Sequence, residues 1–292
     1  MLCVDSNSSS PSVIHVICQG IDDDDDDYSE VGGVASLGDN VFVVRRDSEK
    51  IEVYDAMTFT LQRHITLPWL RVSLLGLAAC PRNNCLYAYD HDNDTVHRVA
   101  LAGSNAVTKW SVAPGPEGLS VNSEHNLLVV SIYDESKLQI FTTDGTLLQH
   151  IQLQADIECP WHAVQLPTSQ FLVSDVGPLH RVCLVGADGA VVRSYGGEKG
   201  SQLTQMNYPV GLAVDREGRV LVADRWNNRL LVIDQSLSSA HEMSICVDGG
   251  LLGPRSLWYD QSHNRLYIGE WGGGRVIVID NLQDFTVAQV NA

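Results

Sequence analysis

One phrase written six times along the chain restricts its fold more than any other feature. It is fullest at Tyr208-Pro209-Val210-Gly211-Leu212-Ala213-Val214-Asp215, runs through Gly218 to Val220-Leu221-Val222-Ala223-Asp224, and closes with Asn227-Asn228-Arg229 and Leu230-Leu231-Val232-Ile233-Asp234. Its turn residue recurs at Gly32, Gly76, Gly118, His162, Gly211 and Ser256, at intervals of 44, 42, 44, 49 and 45 residues. A repeat of that length is a supersecondary unit that buries its apolar faces only against its neighbours.

Each unit is written in strands. Val41–Val44, Leu86–Tyr89, Leu127–Val130, Phe171–Ser174, Val220–Ala223 and Leu266–Gly269 are short runs of mainly apolar residues bounded by Gly, Asn and Asp, the pattern of buried second strands. No helical period persists. The expectation is an all-β chain, a six-bladed β-propeller with four antiparallel strands per blade. A second column fixes the register. Arg45, Asp90, Ser131, Asp175, Asp224 and Glu270 follow the second strands, and Lys50, Thr95, Lys137, His180, Arg229 and Arg275 open the third. Acid facing base, as at Asp224 with Arg229 and Glu270 with Arg275, predicts a hairpin clasp of the exposed, weak kind. Blade one has no such pair, and its clasp falls to Asp47 or Glu49.

Pro-x-Gly-Leu-Ala-Val-Asp, then Gly, Val-Ala-Asp and Asn-Asn-Arg at this spacing resemble the NHL repeat, specifically in the fifth blade, clearly in the sixth and in worn form in the first four. The resemblance runs from Tyr28 to Ala292. It implies a six-bladed propeller of the kind that ends tripartite-motif proteins, where it holds protein or RNA partners; it implies no activity.

The 292 residues, 44% hydrophobic and 19% charged, suit one globular domain over 13–292 after a disordered terminus at 1–12, with an acidic solvated loop at 22–27. There is no basic region followed by an apolar stretch at the start, and no apolar run of membrane-spanning length, so a cytoplasmic monomer away from membranes is expected. Seven cysteines, mostly inside strands, read as free thiols; Cys80 and Cys85 alone are close enough to bridge a hairpin. The net charge of −17 stays at −11 without the six aspartates of 22–27, which argues against RNA as partner. For ring closure two strands compete, Val13–Cys18 and Phe285–Val290, and the first is favoured because Ile14–Cys18 precedes blade one as Met243–Val247 precedes blade six.

Inner strands of a propeller line its channel, and the loops before them crown one mouth. The phrase places Val31, Leu75, Glu117, Trp161, Val210 and Arg255 in a ring there, with His162 just inside. One carboxylate among them cannot cage a hard cation, which takes six or more oxygens, so no metal and no cofactor is expected. Gly-x-Ser-x-Gly and His-Glu-x-x-His are missing, Asp90–Asp94 lacks the Gly and Glu of a calcium loop, and Gly272–Gly274 lies between strands as a turn. Trp161, His162, Glu117 and Arg255 among aliphatic neighbours resemble a protein-binding hot spot. The alternative within the ring is packing of Trp161 between blades and pairing of Glu117 with Arg255. The leading function is a non-enzymatic scaffold for a protein or peptide; the alternatives are a metal-dependent hydrolase or lyase, with His162 as base and Glu117 as acid or ligand, and RNA binding.

Overall fold

In a computed structural model, the described residues are 13–18, 30–46, 48–67, 74–103, 105–132 and 136–282, and they form six four-stranded antiparallel sheets. The segments expected at 1–12, 22–27 and 285–290, and Asp47, lie outside them. Inner strands run Val31–Leu37, Leu74–Cys80, Pro116–Val121, Pro160–Gln165, Pro209–Val214 and Pro254–Asp260, and each touches the inner strands of both neighbouring blades around the ring. The architecture expected from the repeat is present.

Successive side chains of a strand point to opposite faces, and in a ring of blades both faces are covered. In the second strand of blade five, Val220 and Val222 enter the cluster shared with blade four, whereas Leu221 and Ala223 enter the one shared with blade six. This double burial makes the second strands continuous apolar runs instead of alternating ones. Outer strands face water on most positions; Leu147–Gln152 buries only Ile151.

Every inner strand carries a register shift near its start, where one or two residues are left out of the ladder: between Val31 and Gly33, Leu74 and Leu77, Pro116 and Gly118, Pro160 and His162, Pro209 and Leu212, and Pro254 and Ser256. A bulge re-aims the residue it leaves unpaired. The register corrects blade one by one residue: Val31 stands opposite Arg45 as Pro116 stands opposite Ser131, so the repeat glycine is Gly33 and the ring position is Gly32. The repeat glycine is also not a turn residue. A Cβ on Gly33 would lie 2.7 Å from the backbone nitrogen of Leu77 in the next blade, and one on Gly211 would collide with the carbonyl of Arg255. Glycine is there because neighbouring backbones meet.

Two blades dispense with that glycine and bridge through side chains. His162 Nδ1 accepts from Leu212 N–H at 3.3 Å in blade five, and its Nε2 lies 3.0 Å from the Leu119 carbonyl of blade three, which it therefore serves as donor. Ser256 Oγ accepts from Val34 N–H at 3.1 Å across the junction of blades six and one.

The strand Val13–Cys18 pairs antiparallel with Arg275–Asp280 as the fourth strand of blade six, so a strand that precedes blade one completes the last sheet. Ile17 is buried in the shared core and His15 stacks on Phe59 at 4.7 Å. The comparison with Met243–Val247 was inexact: the outer strand of blade five is Ala240–Glu242. Cys80 and Cys85 are cross-strand partners with free, buried thiols.

Candidate functional site

The face where inner strands begin is also where second strands turn into third strands, and buried acids build it. Asp224, fully buried, accepts from Arg229 Nε at 2.8 Å, from Asn227 Nδ2 at 2.7 Å and from the backbone N–H of Asn207 at 2.7 Å; Arg229 in turn donates to the carbonyls of Ser201, Gln202 and Gln205. Glu270, equally buried, accepts from Arg275 Nε at 2.6 Å and from Leu252 N–H, while Arg275 reaches the Asp248 and Gly250 carbonyls. In blade four the base is Arg181, not His180: Asp175 faces Arg181 in the ladder, with Nε at 3.4 Å. In blade one Arg45 is clasped by Glu52 at 2.8 Å within the third strand, not by Glu49. These pairs are therefore not exposed surface clasps. The pairs of blades four, five and six each tie a hairpin to the loop that enters the same blade, whereas Arg45 donates to the Gly274 carbonyl of blade six.

On that frame sits a cluster of cations and aromatic rings. After Asp224 the chain makes a short 3-10 turn, Arg225–Asn227, ended by Asn228 in the left-handed region at φ 52°, where its Oδ1 accepts from Gly253 N–H. The turn lifts Trp226 outward, 56% exposed and stacked on Tyr208 with centroids 4.9 Å apart and planes 9° apart. Tyr208 itself has φ 65°, held by donation of its N–H to His180 Nδ1, and Trp161 meets its ring at 5.4 Å, edge to face. Trp271, next after the buried Glu270, has the guanidinium of Arg255 at 4.4 Å, that of Arg225 at 4.7 Å and that of Arg46 at 5.2 Å from its ring centroid. Arg255 also lies 5.6 Å from the Trp161 ring, and Lys199 lies 5.5 Å from that of Trp226. Burial, and then the like charge of Arg255, holds the Arg225 guanidinium below its ordinary pKa. Between Trp226, Leu252 and Trp271 lies a shallow depression of about 520 Å³.

The ring residues separate accordingly. Trp161 and Arg255 join the cluster. Glu117 is buried beside His91, whose Nε2 lies 3.4 Å away, and the hydrogen bond to Glu117 raises the pKa of that imidazole. Glu117 therefore has His91, not Arg255, as its ionic neighbour. Val31 and Val210 are fully enclosed in inter-blade cores. His162 is the inter-blade bridge described above, and burial lowers its pKa. Leu75 occupies the bulge of blade two, but its side chain lies outside the described residues. Among the described residues no three His, Cys, Asp or Glu side chains gather as a metal site, and no helix is long and apolar enough to cross a membrane. Sequence reasoning missed Arg225, Trp226 and Trp271. The available signal was an aromatic one or two residues beyond a clasp acid, in a turn where Asn, Asp or Gly is expected.

Six four-stranded sheets around an axis, closed by the N-terminal strand, define a six-bladed β-propeller. The NHL repeat matches residues 206–233, the stretch that carries the fullest phrase. Protein brain tumor of Drosophila melanogaster is 29% identical over 132 residues, which cover 44% of this chain and 12% of that protein's length. The chain is a six-bladed β-propeller whose fifth blade matches the NHL repeat. Among solved structures it is similar to a streptogramin B lyase (TM-score 0.62, 13% identity, 87% of this chain and 83% of that one). It is also similar to virginiamycin B lyase from Staphylococcus aureus (0.60, 11%, 85% and 80%) and to Kuenenia stuttgartiensis hydrazine synthase (0.64, 15%, 90% and 99%). At such identities the likeness is one of fold alone.

Proposed function

We propose that this propeller is a non-enzymatic scaffold that holds a protein or peptide partner on its mouth face, with Trp161 and Arg255 at the centre and Glu117 at the edge. The observation that carries this reading is the cluster itself. Aromatic rings and arginines dominate interface energies, and here they converge on a shallow, solvent-open surface with Trp226 projecting from it. The NHL repeat at residues 206–233 and the similarity to Protein brain tumor are consistent with this reading.

A hydrolase or lyase would need His162 as base and Glu117 as acid or ligand. Both His162 nitrogens are engaged by neighbouring blades, and Glu117 lies against His91, which weighs against that chemistry. RNA recognition has cations and stacking rings in its favour, set against a chain charge of −17.

Affinity capture with wild-type protein, the Trp226→Ala, Arg225→Glu double variant, and Arg82→Glu on the opposite face tests the reading. A partner lost only with the mouth-face variant is the expected result; equal retention by all three rejects this surface. A rise in Tm with calcium or zinc that Glu117→Gln abolishes would turn the assignment toward the enzyme.

A further inference from the structure

The two central arginines lack an acid. Among the described residues neither Arg225 nor Arg255 forms an ion pair, although every clasp arginine beside them does. Glu30, the nearest carboxylate to act on Arg225, is committed to Arg46 at 2.9 Å. Arg255 is only 5% exposed, and its charge is met by two indole faces and the Tyr89 hydroxyl. Cation–π attraction compensates part of the lost hydration of a guanidinium, but leaves its in-plane N–H donors free for a planar acceptor. Two like charges sharing one indole repel each other, and an anion between them removes that repulsion.

From this we infer that the mouth face is selective for an acidic peptide segment, one carboxylate accepting from Arg225 and Arg255 beside Trp271 and a neighbouring apolar side chain resting on Trp226 and Leu252. The inference rests on the scaffold reading above and adds the chemistry of the partner. A carboxylate matches the guanidinium fork with two parallel hydrogen bonds. Leu252, 40% exposed at the rim of the depression, and the outward Trp226 supply the apolar half. A peptide with one or two acids fits the observations better than a polyphosphate. The chain carries a net charge of −17, which opposes a run of successive phosphates more than a segment with one or two carboxylates.

The test is fluorescence anisotropy with the whole chain and four labelled probes: a short glutamate–leucine peptide holding two glutamates, the same peptide with glutamine for glutamate, the same with lysine, and oligouridine of matched length. The expected result is binding of the glutamate–leucine peptide alone, weakened about tenfold or more by Arg225→Gln, restored in part by Arg225→Lys, and unchanged by Arg82→Gln. Arg225 is partly buried in a turn, and an unchanged unfolding midpoint for Arg225→Gln establishes that the fold is kept. Equal binding of the glutamate and glutamine peptides, lost with Trp226→Ala, would overturn the acidic selectivity while leaving the scaffold reading in place. Binding of oligouridine alone, sensitive to Arg225→Gln, would overturn both in favour of nucleic acid. Glutamate-peptide binding indifferent to Arg225→Gln, or no binding of any probe, would also overturn the inference.

Discussion

At the scale of single residues, the positions that matter most are those where backbones of adjacent blades touch. Gly211→Ala introduces a Cβ against the Arg255 carbonyl, which neither strand can vacate without moving a blade, so a loss of about 1–3 kcal/mol is expected in chemical unfolding. Wild-type stability in that variant would mean that the junction yields. His162 at the equivalent place is neutral when folded, since it accepts at Nδ1 and donates at Nε2, and burial holds its pKa below the usual 6.5. As pH falls the unfolded chain takes up the proton first, so the stabilisation is complete above 6.5 and is lost on acidification. His97, His180 and His241 are shifted the same way; His91 is shifted upward and opposes them. Thermal unfolding on both sides of 6.5 should show a lower midpoint in acid, with a smaller drop for His162→Gln. Identical slopes for both proteins would mean that this imidazole is not a source of the pH dependence.

At the scale of elements, the acid–arginine pairs at the second turn are buried supports for the loops. Arg229→Met leaves the Asp224 carboxylate enclosed without its cation and should cost about 3–5 kcal/mol, whereas adding Asp224→Leu should recover much of that loss. A double variant as unstable as the single one would assign the cost to the lost bonds to the Ser201, Gln202 and Gln205 carbonyls instead. This is also the scale at which sequence and structure part. Strands and their order were legible because apolar runs of four recur between turn residues. The depth of the clasps was not, because a carboxylate beside an arginine has the same spelling in water as in a core. Blade one slipped by a residue because Gly32 and Gly33 spell the turn alike, and only the pairing of Val31 with Arg45 distinguishes them. The ring at the mouth was located by aligning the Pro-x-Gly phrase, yet which members face outward depends on the neighbouring blades. Val210 is sealed in a core, while Trp226, outside the spelling that recurs from blade to blade, projects from the surface.

At the scale of the molecule, the described residues form six apolar clusters, each between two adjacent blades, so stability belongs to junctions more than to blades. One junction depends on residues far apart in the chain. Removing residues 1–18 strips Arg275–Ile279 of its pairing partner and takes Ile17 from the core, and a fall in Tm of about 5 °C or more is expected; an unchanged midpoint would show that another segment takes the place of this strand. The same pairing sets the order of assembly during synthesis. The strand that seals the circle is made before the six blades and its docking edge in the last of them, so it must wait unpaired while all the blades are translated. Final locking is then a slow, long-range step, and the nascent protein is most open to misassociation just before it.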